Sequence, residues 1–412
     1  MLRQGMAAPK SSKAAKFGTF TGVFTPTLLT ILGVIMYVRL GWVVGNAGLL
    51  GAFMVMALAM LITVCTGLSL SSIATNRRLG AGGPYAIISK ALGFEVGGSI
   101  GLPLYLSRPL GVAMYIFGFR EGWLWVFPAH DPLLVDLVVF VALFGLAYLS
   151  ANLAFRVQFA IMAVIVASIL AIFLSPITLA PKAEISWWGD FRGFPERGFG
   201  GIDFWAVFAV FFPATTGILA GANMSGDLKD PRRSIPRGTL WAIVLSSLIY
   251  FALAWWAARA GTPEELTENY NLLIDRSLFP PAVLAGLLGA TFSSALASAV
   301  GGPRILMAMA HNELLPKSGW LGRQTSRGEP RNAVLVTAIL SLGCLMMRDL
   351  NAIAPLVTMF FLLTYLMLNV VLLIEGSLKL VSFRPTLVVP RVVPLIGAVG
   401  CIFCMFIVSP IF

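Results

Sequence analysis

Phe24-Thr25-Pro26-Thr27-Leu28-Leu29-Thr30-Ile31-Leu32-Gly33-Val34-Ile35 and Phe211-Phe212-Pro213-Ala214-Thr215-Thr216-Gly217-Ile218-Leu219-Ala220 are two apolar stretches written to one plan. Each carries a Pro, then hydroxyl residues, then a Gly, inside a run otherwise apolar enough to cross a bilayer. Proline removes a backbone donor and glycine loosens the chain, so each stretch reads as an interrupted membrane helix. Pro and Gly are also common in membrane helices that merely kink. Two interruptions at corresponding places, five spans apart, fit an inverted repeat of five plus five.

The rest of the chain sets that reading in lipid. Of 412 residues, 58% are hydrophobic and only 11% charged, with a mean hydropathy of +0.88. A soluble domain carries about a quarter of its residues charged. The net charge of +11 does not point to nucleic acid, because Lys and Arg crowd the loops between apolar runs. Cys65, Cys344, Cys401 and Cys404 lie inside those runs and form no disulfide or metal-ligand pattern. No signal-peptide cleavage pattern follows the basic N-terminal tail, residues 1–17.

Span-length runs lie near Phe20–Val44, Leu49–Ser72, Gly97–Phe119, Leu133–Leu149, Val157–Leu174, Phe204–Ala222, Leu240–Ala258, Ala282–Val300, Ala333–Met347, Leu350–Ile374 and Val392–Ile407. This predicts about eleven spans in one transport domain, residues 18–412. Repeat one covers about 18–175 and repeat two about 203–375, with an extra span at about 392–407. Threaded with the N-terminus inside, the inner loops take Arg77, Arg78, Arg156, Lys229, Arg232, Arg233, Arg237, Lys317, Arg323, Arg327, Arg331, Lys379, Arg384 and Arg391. The outer loops take Glu264, Glu265 and Glu268. That asymmetry predicts a multi-pass protein with a cytoplasmic N-terminus.

An unwound stretch at membrane depth offers carbonyls to cations, and the amides that open the next half-helix to anions. Leu29 to Leu32 supply the first kind of group and Gly33, Val34 and Ile35 the second. In the sixth span Pro213 and Thr216 face Gly217, Ile218 and Leu219 in the same roles. The eighth span adds Ser293-Ser294, which bind a small cation or back-bond to the preceding turn. No Asp or Glu lies within the interrupted segments or near Ser293. A cation there is an uncompensated charge unless an anion binds beside it, so opposite charges are expected to travel together.

At these residues the sequence resembles the cation-chloride cotransporter family of the amino acid-polyamine-organocation superfamily. The resemblance runs from about Gly18 to Phe406. It rests on Leu32-Gly33-Val34-Ile35 with Arg39-Leu40-Gly41-Trp42, Thr66-Gly67-Leu68-Ser69, Gly82-Gly83-Pro84-Tyr85, Gly97-Gly98-Ser99-Ile100-Gly101, the stretch Phe211 to Pro231 ending Gly226-Asp227-Leu228-Lys229-Asp230-Pro231, Ser293-Ser294-Ala295-Leu296-Ala297-Ser298, and Asn351-Ala352-Ile353-Ala354-Pro355. It implies an all-α, LeuT-like membrane protein with broken helices one and six.

It also implies that sodium is held by Leu29, Leu32 and Ala290 carbonyls with the Ser293 and Ser294 hydroxyls. Potassium is implied at Thr30, Ile31, Pro213, Thr216 and Tyr115. One chloride is implied at Gly33, Val34 and Ile35, another at Gly217, Ile218 and Leu219 with Tyr365. Arg39 and Glu121 match a gate pair of the family; without the family they read as separate interfacial charges. Tyr115 and Tyr365 would likewise read as packing tyrosines. The implied activity is electroneutral secondary active cotransport of sodium, potassium and chloride, with no cofactor and no enzymatic reaction. The partners are inorganic ions, membrane lipid and, where the last helices permit it, a second copy of the chain.

Three departures mark this sequence. Arg108-Pro109 stands where the family has Asn-Ala, seven residues before Tyr115 and about 10 Å along the same helix face. An intramembrane Arg attracts chloride, weakens potassium binding or pairs with a carboxylate or carbonyls. Thr30 and Leu32 replace the family's Asn and Trp, where the implied ligands are backbone atoms. The family's twelfth span and cytoplasmic C-terminal domain have no counterpart in these 412 residues, as in a prokaryotic-type minimal member. Competing readings are an amino acid or amine permease of the same superfamily and a non-transporting membrane partner.

Overall fold

The computed structural model describes residues 16–76, 80–175, 184–194, 199–200, 202–326, 328–348, 350–378 and 383–408. The tail before Lys16, Arg77, Arg78, Arg327, Lys379 and the side chains of Asn351 and Ala352 lie outside the described residues.

The first span opens with a π-helical turn, Phe20–Phe24, runs through α1 (Thr25–Ile31), breaks, and resumes as α2 (Val34–Val38). Then follow α3 (Leu40–Asn76), α4 (Pro84–Leu92), α5 (Phe94–Val126), α6 (Pro132–Leu149) and α7 (Ala151–Phe173). A two-residue antiparallel ladder, β1 (Gly193–Phe194) with β2 (Phe199–Gly200), precedes the sixth span. That span is α8 (Phe204–Phe211), a 3-10 segment Phe212–Ile218, and α9 (Leu219–Ala222). The remainder is α10 (Pro231–Ala260), the short α11 (Pro263–Glu268) and α12 (Leu272–Asp275), α13 (Pro280–His311), α14 (Ser318–Leu321), α15 (Arg331–Met346), α16 (Leu350–Ser377) and α17 (Val392–Val408).

Nine helices among the described residues are long and apolar enough to cross a membrane, and α15 and α17 are shorter apolar helices. Large apolar side chains such as Ile339 (70% exposed), Trp241, Val141 and Leu248 cover the outside. Only hydrocarbon makes such a surface stable. Helix starts are fixed by side-chain caps: Asp131 accepts from the Leu134 amide, Ser150 from Asn152, Asp203 from Ala206 and Asp230 from Arg233.

Several boundaries differ from the sequence reading. The Val44–Leu49 connection is one break inside α3, where Gly48 adopts φ 72°. Residues 186–191 dock there: Leu49 N donates to Ser186 O, Gly189 N to Ala47 O and Phe191 N to Asn46 O. A Cβ on Gly48 would stand 2.7 Å from the Trp188 backbone, so only glycine serves. Arg232, Arg233 and Arg237, expected in a loop, ride on the first turns of α10, and Arg156 lies within α7. Helices here continue past the apolar core because backbone hydrogen bonding does not stop where hydropathy does.

Candidate ion-binding site

The first break is a two-residue event. Leu32 leaves the helix at φ −78°, ψ 49°, and Gly33 is extended at φ −86°, ψ −162°. Thr30 Oγ1 donates to Pro26 O at 2.6 Å, and the Tyr250 hydroxyl donates to Ile31 O at 2.8 Å. The second break is not unwound but tightened into 3-10 geometry. Within it Thr216 Oγ1 donates to Pro213 O at 2.8 Å, and Tyr365 donates its hydroxyl to Thr216 O.

The two breaks are pressed together. A Cβ on Gly217 would stand 2.9 Å from Ile31 N, Thr30 C and Thr30 Cβ, and one on Gly221 would stand 2.6 Å from Val23 Cγ1. Gly217 and Gly221 thus form a small-residue seam, one helical turn apart, that lets the first span approach the sixth backbone to backbone. Sequence reasoning treated Gly217 as an anion donor and passed over its packing.

Ser293 and Ser294 are 0% exposed, and neither hydroxyl has a hydrogen-bond partner. Buried membrane hydroxyls normally back-bond, as neighbouring Thr291 does to Leu287 O at 3.1 Å. A Cβ on Gly33 would stand 3.7 Å from Ser294 Oγ, so the pair abuts the first break. Leu29, Leu32 and Ala290 are buried there as well. Sequence reasoning missed Gln158 on α7. Its Nε2 donates to Ser293 O at 3.5 Å, and its Oε1 is buried without a partner. An amide in an apolar span was the available signal.

A cavity of about 340 Å³ is lined by Thr30, Ile31, Tyr115, Pro213 and Thr216, the whole set implied for potassium, and by Gly33, Val34 and Ile35. Arg39 and Glu121 line it too, with the Arg39 guanidinium 4.5 Å over the Tyr270 ring. Gly217, Ile218, Leu219, Tyr365 and the Ser293–Ser294 pair stand outside this lining. Arg108 is 4% exposed, and its Nε and Nη2 have no partner. Its guanidinium lies 4.8 Å over the ring of Phe361, a cavity residue. The titratable groups acting on it are the phenols of Tyr115 and Tyr365.

At the opposite end from Arg39, buried Arg304 (7% exposed) ties several elements together. Its Nε donates to Asp227 Oδ2 at 2.7 Å, its Nη1 to Val300 O at 2.8 Å and its Nη2 to Glu329 Oε2 at 3.3 Å. Glu329 Oε1 accepts from the amide of Ala151, which opens α7. Phe17 N donates to Asp227 O and Lys229 N to Phe17 O, each at 2.9 Å. These bonds tie the elements of the Asp227 end together, while the cavity lining includes Arg39 and Glu121.

Two interrupted helices packed against each other beside a central cavity, within a multi-pass helical body, define a membrane transporter of the LeuT-like fold. The comparisons narrow this. Residues 22–412 match the family described as amino acid permease, and the chain belongs to that family. It is 32% identical to human "Solute carrier family 12 member 2" over 97% of this chain and 38% of the relative. It is 34% identical to "Cation-chloride cotransporter 1" of Oryza sativa subsp. japonica, over 96% of this chain and 45% of the relative. The chain therefore spans less than half the length of these relatives. Among solved structures it is similar to a nucleobase-cation-symport-1 family transporter in a closed conformation (TM-score 0.58, 12% identity, 98% of this chain and 95% of the other). It is also similar to a Na+-coupled sialic acid symporter (TM-score 0.60, 12% identity, 97% and 91%). These relatives and fold neighbours are transporters, not enzymes, and the resemblance to cation-chloride cotransporters read from the sequence stands.

Proposed function

We propose that this protein carries out secondary active, electroneutral cotransport of chloride with sodium and potassium by alternating access, in a plasma (inner) membrane with its N-terminus cytoplasmic. The observation that carries it is the Ser293–Ser294 pair, two fully buried hydroxyls without a partner beside the first break. Hard oxygen groups of this kind suit an alkali cation. With no carboxylate in either break, the bound cation needs an anion nearby, which the Gly33–Ile35 amides accommodate. Potassium as a further cargo is supported by its five expected residues lining one cavity.

Rubidium uptake into proteoliposomes, with sodium and chloride varied separately, tests the reading. Uptake is expected to require both ions. Chloride-independent uptake of an amino acid sinks it in favour of the permease reading. Arg108 favours a second reading, sodium and chloride without potassium, in which chloride uptake persists while rubidium uptake is absent.

A further inference from the structure

Arg108 is a buried charge with no carboxylate to answer it among the described residues. Two of its nitrogens, Nε and Nη2, donate to nothing. Its stem packs closely on α13, since a Cβ on Gly302 would stand only 2.8 Å from Arg108 Cβ. The guanidinium is separated from the central cavity by the Phe361 ring it lies against. Its titratable neighbours, the Tyr115 and Tyr365 phenols, are neutral hydroxyls. Tyr365 connects it to the second break through the bond to Thr216 O. A desolvated guanidinium normally has a counter-ion, and its fork of donors suits an anion.

We infer that Arg108 is a specificity-determining residue of the cotransport site: its guanidinium holds chloride beside Tyr365 and supplies there the positive charge that a potassium ion would otherwise bring. This rests on the proposed cation-chloride reading and narrows it to the form in which sodium and chloride are carried without potassium. Chloride binding then needs sodium but not potassium. A potassium ion near Tyr115 meets a like charge about two helical turns away along α5, so potassium competes with Arg108 rather than assisting it.

The test is chloride-dependent melting of the purified full chain in detergent, since a ligand that binds the folded state raises the melting temperature. Chloride is titrated against gluconate in sodium, with and without potassium. The wild-type protein is expected to be stabilised by chloride in sodium alone, with the same half-saturating chloride when potassium is added. Arg108→Gln raises that concentration about tenfold or more, and potassium restores part of the loss. Arg108→Lys keeps most of the response. A wild-type chloride response that needs potassium overturns the inference whether or not any variant folds. So does an Arg108→Gln response equal to the wild type, and in both cases the cotransport reading is left standing. Melting insensitive to chloride in every cation mixture removes the cotransport reading itself, and this inference with it.

Discussion

Ser293 and Ser294 separate function from structure unusually cleanly. Neither hydroxyl bonds to the protein, so replacing both by Ala removes no internal hydrogen bond. Melting of the double variant in sodium-free buffer is expected to stay within about 0.5 kcal/mol of the wild type. A hydrogen-bond-strength contact to a charged ligand is worth about 1.5–3 kcal/mol. Half-saturating sodium for chloride uptake therefore rises at least about tenfold. Unchanged sodium dependence, or a melting loss in sodium-free buffer, removes the pair from the cation site. The sequence left this pair two tasks, cation binding or back-bonding, and only the resemblance implied the first; that the hydroxyls do not back-bond is visible only in the folded chain. Gln158 was not legible in the sequence, since its relation to Ser293 spans 135 residues and no local pattern encodes it. The partnership of Arg304 with Asp227, 77 residues away, escaped for the same reason.

At the scale of elements, hydropathy marked the spans and the Pro-and-Gly pattern marked both interruptions. It could not say that the second is a 3-10 turn, because Thr215 and Thr216 tighten it through bonds to Phe212 O and Pro213 O. Nor could it show the Gly217–Gly221 seam, which depends on which face the first span presents. Gly217→Ala forces a methyl onto backbone atoms at 2.9 Å, a strain of about 1–3 kcal/mol. Isotope uptake is expected to collapse while the variant still elutes as a folded protein. Gly343→Ala, whose Cβ meets nothing within 4 Å, serves as the control and keeps full uptake. Equal activity of the two variants counts against the seam.

For the whole molecule, the Arg304 network is a candidate latch at the Asp227 end. It joins the segment after the sixth span, α13, the α14–α15 connection and the start of α7. Asp227 is 31% exposed, so removing Arg304 costs less than the ~3–5 kcal/mol of a fully buried pair, yet about 1.4 kcal/mol already shifts a two-state equilibrium tenfold. Arg304→Met is therefore expected to favour opening at the Asp227 end. A cysteine placed at Ala154, buried on α7, would react faster with a water-soluble maleimide in that background. Equal labelling rates with and without Arg304 discard the latch. The proposed orientation assigns this end to the cytoplasm.

The segment docked at Gly48 carries a mechanical consequence. Phe191 is bonded to Asn46 on one side and, through Ile202 N, to the chain entering α8 on the other. Trp42 Nε1 and Asn46 Oδ1 grip Gly193 at 3.1 and 2.7 Å. Thus α3 and the sixth span are strapped together at the Arg39 end by this segment, and the first and sixth spans at the Asp227 end by Phe17. Tied at the Asp227 end and welded along the glycine seam, the first and sixth spans are expected to move as a single lever. On the proposed transport reading that swing is one motion rather than two, and ions bound between the breaks would ride with the lever instead of passing from one helix to the other.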